Sequence, residues 1–251
     1  MKKIFLIEAI FISIVTMMAV APKVMGDTVT VYQVNGYSSG DGGEFTLRIN
    51  NNNLSPDLNI LWGLYSSNTR NIGNHDPSFQ SFCLEKHEYV NLGSTYNAVI
   101  NDRALGGGTD RGNNTPGNDP LSVGTAYLYH EFQLGELEGY DYKKKHGHRS
   151  ISAGYLQNMI WYLEDEQDGY GWHNPFEQLL IQEFGSLDNA KLDNEGRFSV
   201  AVLNLYDSNG GFHQDQLVCV PTTAPEPATM LLLGSGLLGL AGLARRKFHK
   251  K

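Results

Sequence analysis

This 251-residue chain has only two cysteines, Cys83 and Cys219, so neither a disulfide-stapled mini-domain nor a four-cysteine zinc site is available to it. It has no internal repeat, which excludes solenoids and propellers. The glycine run Gly106-Gly107-Gly108-Thr109 lacks the lysine that a phosphate-cradling loop requires, so nucleotide binding is excluded on this motif. No Gly-x-Ser-x-Gly stands outside the apolar C-terminal stretch, and so no nucleophile elbow is expected. Positive charge is scarce in the centre. Of 19 Lys and Arg, three precede Asp27 and five follow Ala224, leaving 11 against 25 of the 27 acids, a net charge near −14. Such a surface repels nucleic acid and anionic membrane, and neither is expected as a partner of this part.

The two ends differ from that centre. Met1-Lys2-Lys3 is followed by a nearly uncharged stretch from Ile4 to Ala21 and by small residues before Asp27, which reads as a signal peptide over residues 1–26. At the other end Pro225-Glu226-Pro227 precedes Ala228 to Ala244, apolar and without charge, and then Arg245-Arg246-Lys247. An apolar run closed by basic residues is a membrane stop with a cytoplasmic tail. Its 17 residues fall a little short of the roughly 20 that span a hydrocarbon core. Pro-Glu-Pro, apolar segment and Arg-Arg in this order resemble the PEP-CTERM sorting signal of Gram-negative envelope proteins. That resemblance implies export across the inner membrane, transient anchoring, recognition by an exosortase, and delivery to the cell surface or extracellular matrix.

The divisions expected are therefore the signal over 1–26, a core over 27–220, a linker over 221–227 carrying the Pro-Glu-Pro motif, a transmembrane sorting helix over 228–244 and a basic tail over 245–251. Within the core, Thr28–Val34 and Glu44–Ile49 alternate apolar residues and flank turn chemistry, which predicts a hairpin. The aromatic stretch Phe79–Tyr89 reads as the next strand, and Gly106–Pro120 as a long exposed loop. Helices are expected over Thr125–Leu134 with Ser122 as cap, from a Ser150 or Ser152 cap through Leu163 with Tyr155, Leu156, Met159, Ile160 and Leu163 on its apolar face, and over Pro175–Phe184. Strands return at Arg197–Tyr206 and Gln216–Val220. Strands outside and helices between give an α+β fold: an antiparallel β-sandwich or barrel-like sheet with an inserted helical part.

The chemistry rests on two segments. Ser81-Phe82-Cys83-Leu84-Glu85 puts a cysteine in an aromatic strand, and Tyr155-Leu156-Gln157-Asn158-Met159-Ile160-Trp161 puts a glutamine on an apolar helix with Trp161 one turn on. Together they resemble the thioester domains of bacterial surface adhesins. The resemblance implies that Cys83 and Gln157 form an internal thioester, with Phe82, Tyr155 and Trp161 excluding water, and that the protein captures an amine or hydroxyl on a surface or matrix partner once per molecule, without turnover and without a cofactor. The residues also admit another reading. Two cysteines in an exported chain can form one Cys83–Cys219 disulfide, leaving a non-covalent structural protein that binds exopolysaccharide through aromatics and the basic run Lys143–Arg149. His146 and His148 lack a third ligand at metal spacing, so no metal site is assigned. The acidic group Glu164-Asp165-Glu166 with Asp168 is a calcium candidate whose spacing does not match an EF-hand.

Overall fold

A computed structural model describes residues 27–40, 42–50, 63–105, 119–143 and 147–221. The signal segment, most of the Gly106–Pro120 loop, Lys144 to His146, the Pro-Glu-Pro motif, the apolar run and the basic tail lie outside the described residues. Among the described residues no helix is long and apolar enough to cross a membrane.

Among the described residues ten strands and four α-helices follow in the order strands, helices, strands. They are β1 (Asp27–Tyr32), β2 (Ser38–Ser39), β3 (Gly42–Gly43), β4 (Phe45–Ile49), β5 (Ser78–Ser81), β6 (Thr95–Asn101), β7 (Arg103–Ala104), β8 (Asp119–Pro120), α1 (Val123–Leu134), α2 (His148–Leu163), α3 (Phe176–Phe184), α4 (Leu187–Ala190), β9 (Val200–Tyr206) and β10 (Phe212–Cys219). The fold is α+β. Six strands make one antiparallel sheet in the order β10-β9-β6-β1-β4-β5, with Val29 facing Ile49 on one side and Tyr96 on the other. The expected first hairpin is present, and the Gly/Ser segment between its arms folds as the small β2–β3 ribbon.

The sheet curls until its edges meet. Beyond β5 the chain continues alongside β10: Leu217 N–H donates to Phe82 O at 3.0 Å, Leu84 N–H to Asp215 O at 3.1 Å, and Cys83 stands opposite Gln216 in an isolated bridge. Joining the edges pairs backbone groups that an open sheet leaves exposed. Phe79 to Tyr89 is thus not one strand. It is paired to Ser81, bridged at Cys83, and then bends where Gln214 Nε2 donates to both Glu85 O and Glu88 O and draws the chain off the ladder.

Helix α1 starts where expected, with Ser122 Oγ accepting from Thr125 N–H at 3.1 Å. Helix α2 starts earlier than expected. Gly147, at φ 74°, precedes it without a side-chain cap, Ser150 Oγ donates to Gly147 O, and Ser152 Oγ accepts from Asp141 N–H, so neither serine caps the helix. Leu156, Met159, Ile160 and Leu163 are fully buried. Tyr155 is 36% exposed and so does not belong to that apolar face.

A buried ion pair fixes α2 to the sheet. Arg149, in its first turn, donates from Nε to Glu44 Oε1 at 2.6 Å and from Nη2 to Glu44 Oε2 at 2.8 Å, while Tyr140 and Gln80 donate to the same carboxylate. Both charges are almost wholly buried, and every carboxylate oxygen is doubly bonded, the condition under which a buried pair is tolerable. Glu44 adjoins Gly43, and Arg149 lies eight residues before Gln157. The pair therefore holds the β2–β3 ribbon and the glutamine helix in one frame.

Candidate functional site

Cys83 and Gln157 meet. Cys83 is fully buried and Gln157 is 1% exposed, and the cysteine Sγ lies 3.3 Å from Gln157 Oε1. Two backbone donors converge on that same oxygen, Gly43 N–H and Cys83 N–H, each at 3.3 Å. Gln157 Nε2 donates to Cys83 O at 2.8 Å, which fixes which end of the amide is oxygen and which is nitrogen. A carbonyl oxygen held by two backbone N–H groups beside a sulfur nucleophile is the arrangement that stabilises a tetrahedral oxyanion.

Glycines make this approach possible. A Cβ on Gly42 would fall 2.6 Å from Gln157 Cγ and 2.9 Å from Trp161, and one on Gly154 would fall 2.8 Å from Ser39 Oγ. Gly43 sits at φ 87°, a left-handed conformation that turns its N–H onto the glutamine. The ribbon thus covers the helix at side-chain-free distance. Sequence reasoning passed over Gly42 and Gly43 as turn chemistry. The signal available was Gly-Gly immediately before a strand, where one glycine would suffice for a turn.

Trp161, one turn beyond Gln157, lies beside the sulfur, and Phe82 is fully buried with its ring edge-on to Phe132 at 5.0 Å. Both sit where water must be kept out. Tyr155 does not. Its backbone oxygen accepts from Asn174, and its ring faces solvent.

Burial pushes the Cys83 thiol well above its ordinary acidity range, and the nearby Glu85 carboxyl pushes it further, whereas Trp161 works the other way. The sulfur therefore rests as a thiol and donates toward Gln157 Oε1. Glu85 is itself raised by burial and by Asp215, whose N–H donates to Glu85 Oε2 at 2.8 Å.

Cys219 is elsewhere. Both cysteines are free thiols, and the geometry of β10 explains why they do not pair. Cys83 stands opposite Gln216, and Cys219 is three residues farther along, about 10 Å at strand rise and on the opposite face. Disulfides need Cα atoms within about 7 Å. The Cys83–Cys219 disulfide of the alternative reading is thus corrected.

Two glutamines flank the sulfur, since Gln216 is the bridge partner of Cys83. Only Gln157 has its carbonyl in the N–H cradle; neither polar atom of the Gln216 side chain has a hydrogen-bond partner among the described residues. The calcium candidate is engaged by protein groups: Glu164 accepts from Ser122, Asp165 pairs with Lys191, and Glu166 accepts from Lys86 N–H. Among the described residues no group of three or more His, Cys, Asp or Glu could hold a metal ion. Of the basic run, whose Lys144 to His146 lie outside the described residues, His148 Nδ1 meets Asp141 and Arg149 is buried on Glu44.

The decisive similarity lies at the C-terminus. Residues 223–247 match the PEP-CTERM protein-sorting motif. It marks an exported protein, recognised by an exosortase and anchored transiently through its C-terminal region. No curated protein and no solved structure matches the chain. The PEP-CTERM motif supplies an address, and the core must be read from its own geometry.

Proposed function

We propose that this PEP-CTERM-sorted chain carries an internal thioester between Cys83 and Gln157 and uses it once to attach covalently to a partner at the cell surface or in the extracellular matrix of a Gram-negative bacterium. The observation that carries the reading is the seating of Gln157 Oε1 on two backbone N–H groups with Cys83 Sγ at 3.3 Å. In the forming step sulfur attacks the Gln157 amide carbon, the oxygen takes negative charge under the Gly43 and Cys83 N–H groups, and the carbon–nitrogen bond breaks. The thiol proton leaves on nitrogen, and ammonia departs.

Several features favour that step. Packing holds nucleophile and amide together, which removes the entropy of a bimolecular encounter. The 3.3 Å N–H contacts are ground-state distances that shorten once the oxygen is charged. Burial disfavours a free thiolate, so sulfur and proton transfer are coupled rather than sequential. In the capturing step an incoming nucleophile attacks the same carbon, the carbon–sulfur bond breaks, and Cys83 returns as a thiol. Cys83 is recovered but the Gln157 acyl group stays bonded to the partner, so there is one event per molecule.

The test is the intact mass of the exported protein purified without reductant or amines, beside a Cys83→Ala control. The expected result is the loss of one ammonia, absent in the control and replaced by an adduct when methylamine is added. Full mass in the untreated protein, with no adduct on methylamine, sinks the reading.

A further inference from the structure

A partner that attacks the Gln157 carbonyl carbon must first reach it, yet Cys83 is fully buried and Gln157 is 1% exposed. Something has to move. The sulfur side is held by the edge closure, Leu217 N–H to Phe82 O and Leu84 N–H to Asp215 O, and helix α2 is held by Arg149 on the buried Glu44 carboxylate. Displacing either opens the sheet or strands a buried charge. What lies directly over the glutamine is the β2–β3 ribbon, whose Gly42 stands against Gln157 Cγ and the Trp161 ring and whose Gly43 N–H donates to Oε1.

That ribbon is the separable part. Among the described residues its two strands pair with each other, Ser38 with Gly43 and Ser39 with Gly42, and stand outside the six-stranded sheet. Its fastenings to α2 include the 3.3 Å Gly43 contact, the Tyr37 ring 4.5 Å from the Arg149 guanidinium, and Ser39 against Gly154. Gly36 at φ 85° and Gly43 at φ 87° bound it, and glycine is the residue that absorbs a large backbone rotation at least steric cost. Glu44 follows at once, pinned by Arg149, so the second hinge turns on a fixed base.

There is room beside it. A cavity of about 140 Å³ is lined by Gly40, Gln33 and Phe45 on the ribbon's side and by Tyr89, Leu92 and Gln214 across from them. Gly40 is two residues from Gly42, and Gln214 is two residues before Gln216, the bridge partner of Cys83. The void therefore adjoins both halves of the reacting pair.

We propose that the β2–β3 ribbon is a gate, hinged at Gly36 and Gly43, that seals the stored thioester and lifts toward this cavity to admit the partner's nucleophile. The proposal rests on the thioester reading and adds its control. Lifting takes the Gly43 N–H off Oε1, so the open site is accessible but lacks one oxyanion donor, and the ribbon must settle again for the chemistry. With an amine, nitrogen then bonds to the Gln157 carbonyl carbon, the carbon–sulfur bond breaks, and the amine proton passes to Cys83 sulfur.

The test is a lock. A Cβ on Gly154 falls 3.2 Å from Ser39 Cβ, close to disulfide spacing, so Ser39→Cys with Gly154→Cys fastens the ribbon to α2 on oxidation. Intact mass of the full chain is followed over time in methylamine. The oxidised variant is expected to keep its ammonia loss but to form methylamide about tenfold more slowly or less, and a phosphine reductant, which carries no thiol, is expected to restore the rate. Tyr37→Ala, which takes the ring off Arg149, is expected to speed methylamide formation about two- to fivefold. Equal rates in the locked and reopened variant overturn the gate and leave the thioester standing. So does an unchanged rate in Tyr37→Ala, which decides alone where the cross-link does not close. Full mass in the unchanged chain before any addition overturns the thioester itself, and the gate falls with it.

Discussion

Cys83 and Cys219 lie at the two ends of one strand interaction and are equally hidden, yet only one of them is placed to react. Each thiol is raised by burial. At Cys219 the surroundings are phenols: its N–H donates to Tyr65 Oη at 2.9 Å, Tyr65 and Tyr129 share a hydrogen bond, and Tyr129 donates to Gln80 O. Among the described residues no side-chain carboxamide is hydrogen-bonded to this sulfur, whose partner is the Tyr65 phenol. A cavity of about 540 Å³ opens beside its neighbours Val200 and Val220 but does not reach the cysteine. At Cys83 a carboxamide is clamped with its oxygen on two N–H groups. Burial makes a cysteine inert or holds a reactive one in reserve, and the difference is what else is buried with it.

The comparison breaks most sharply by deletion. Cys83→Ala and Gln157→Ala are each expected to abolish ammonia loss in the intact mass, while Cys219→Ala keeps it. Loss of ammonia surviving in Gln157→Ala would mean that another amide, Gln216 being the nearest candidate, feeds the sulfur. A smaller but still severe effect is expected at the frame. Arg149→Met leaves Glu44 charged and buried, and breaking such a pair costs about 3–5 kcal/mol. The urea midpoint is the measurement. The effect should be far larger than that of Lys191→Met, whose partner Asp165 is 37% exposed.

Much of this was legible in the sequence, for identifiable reasons. The β1–β4 hairpin followed from strict alternation around Gly/Ser turn residues, and α1 from Ser122 three residues before Thr125. The Cys83–Gln157 pair was implied by the resemblance of the aromatic-Cys strand and the Gln-bearing helix to thioester domains, and the fold brings these two side chains into contact. What was not legible depended on distant partners. The end of β5 is set by Gln214, some 130 residues away, and the early start of α2 by Arg149 reaching Glu44. Tyr155 fits the helical period of the apolar residues, yet the loop after α2 leaves it in solvent. The disulfide failed on strand register, which spacing in the sequence does not carry. Gly42 and Gly43 looked like turn residues because nothing local shows which helix a glycine ribbon will cover.

That ribbon gives the next test. Gly42→Ala places a methyl 2.6 Å from Gln157 Cγ, and the glutamine must yield because the other close neighbour is the Trp161 ring. Shifting the carbonyl off its N–H donors should slow ammonia release by about 10²–10³-fold, the scale of losing an oxyanion donor. The rate can be followed by mass after refolding from denaturant. A matching substitution at Gly169, which like Gly42 is not left-handed and where a Cβ meets nothing within 4 Å, serves as the control.

The smallest effect expected separates the two ends by pH. Burial lifts Asp215 from 3.8 to about 6, against the pull of hydrogen bonds from Leu105, Asn204 and Leu205, and Glu85 beside it is raised as well. Between the ordinary carboxylate value and about 6 the folded state holds protons that the unfolded state has released, so stability falls as pH rises through that window. This is the opposite of the usual acid lability. The stabilisation is fully present below the unfolded value and lost above the folded one. Melting temperature should therefore decline as pH is raised through about 6, and Asp215→Asn, which keeps the shape without the charge, should flatten the slope. A slope that survives this substitution would place the titration elsewhere in the acidic domain, with Glu85→Gln the next variant to separate the pair. At the Cys219 end Tyr65, Tyr129 and the thiol itself are all raised beyond the physiological range and should contribute nothing to that slope, so Tyr65→Phe is expected to leave it unchanged.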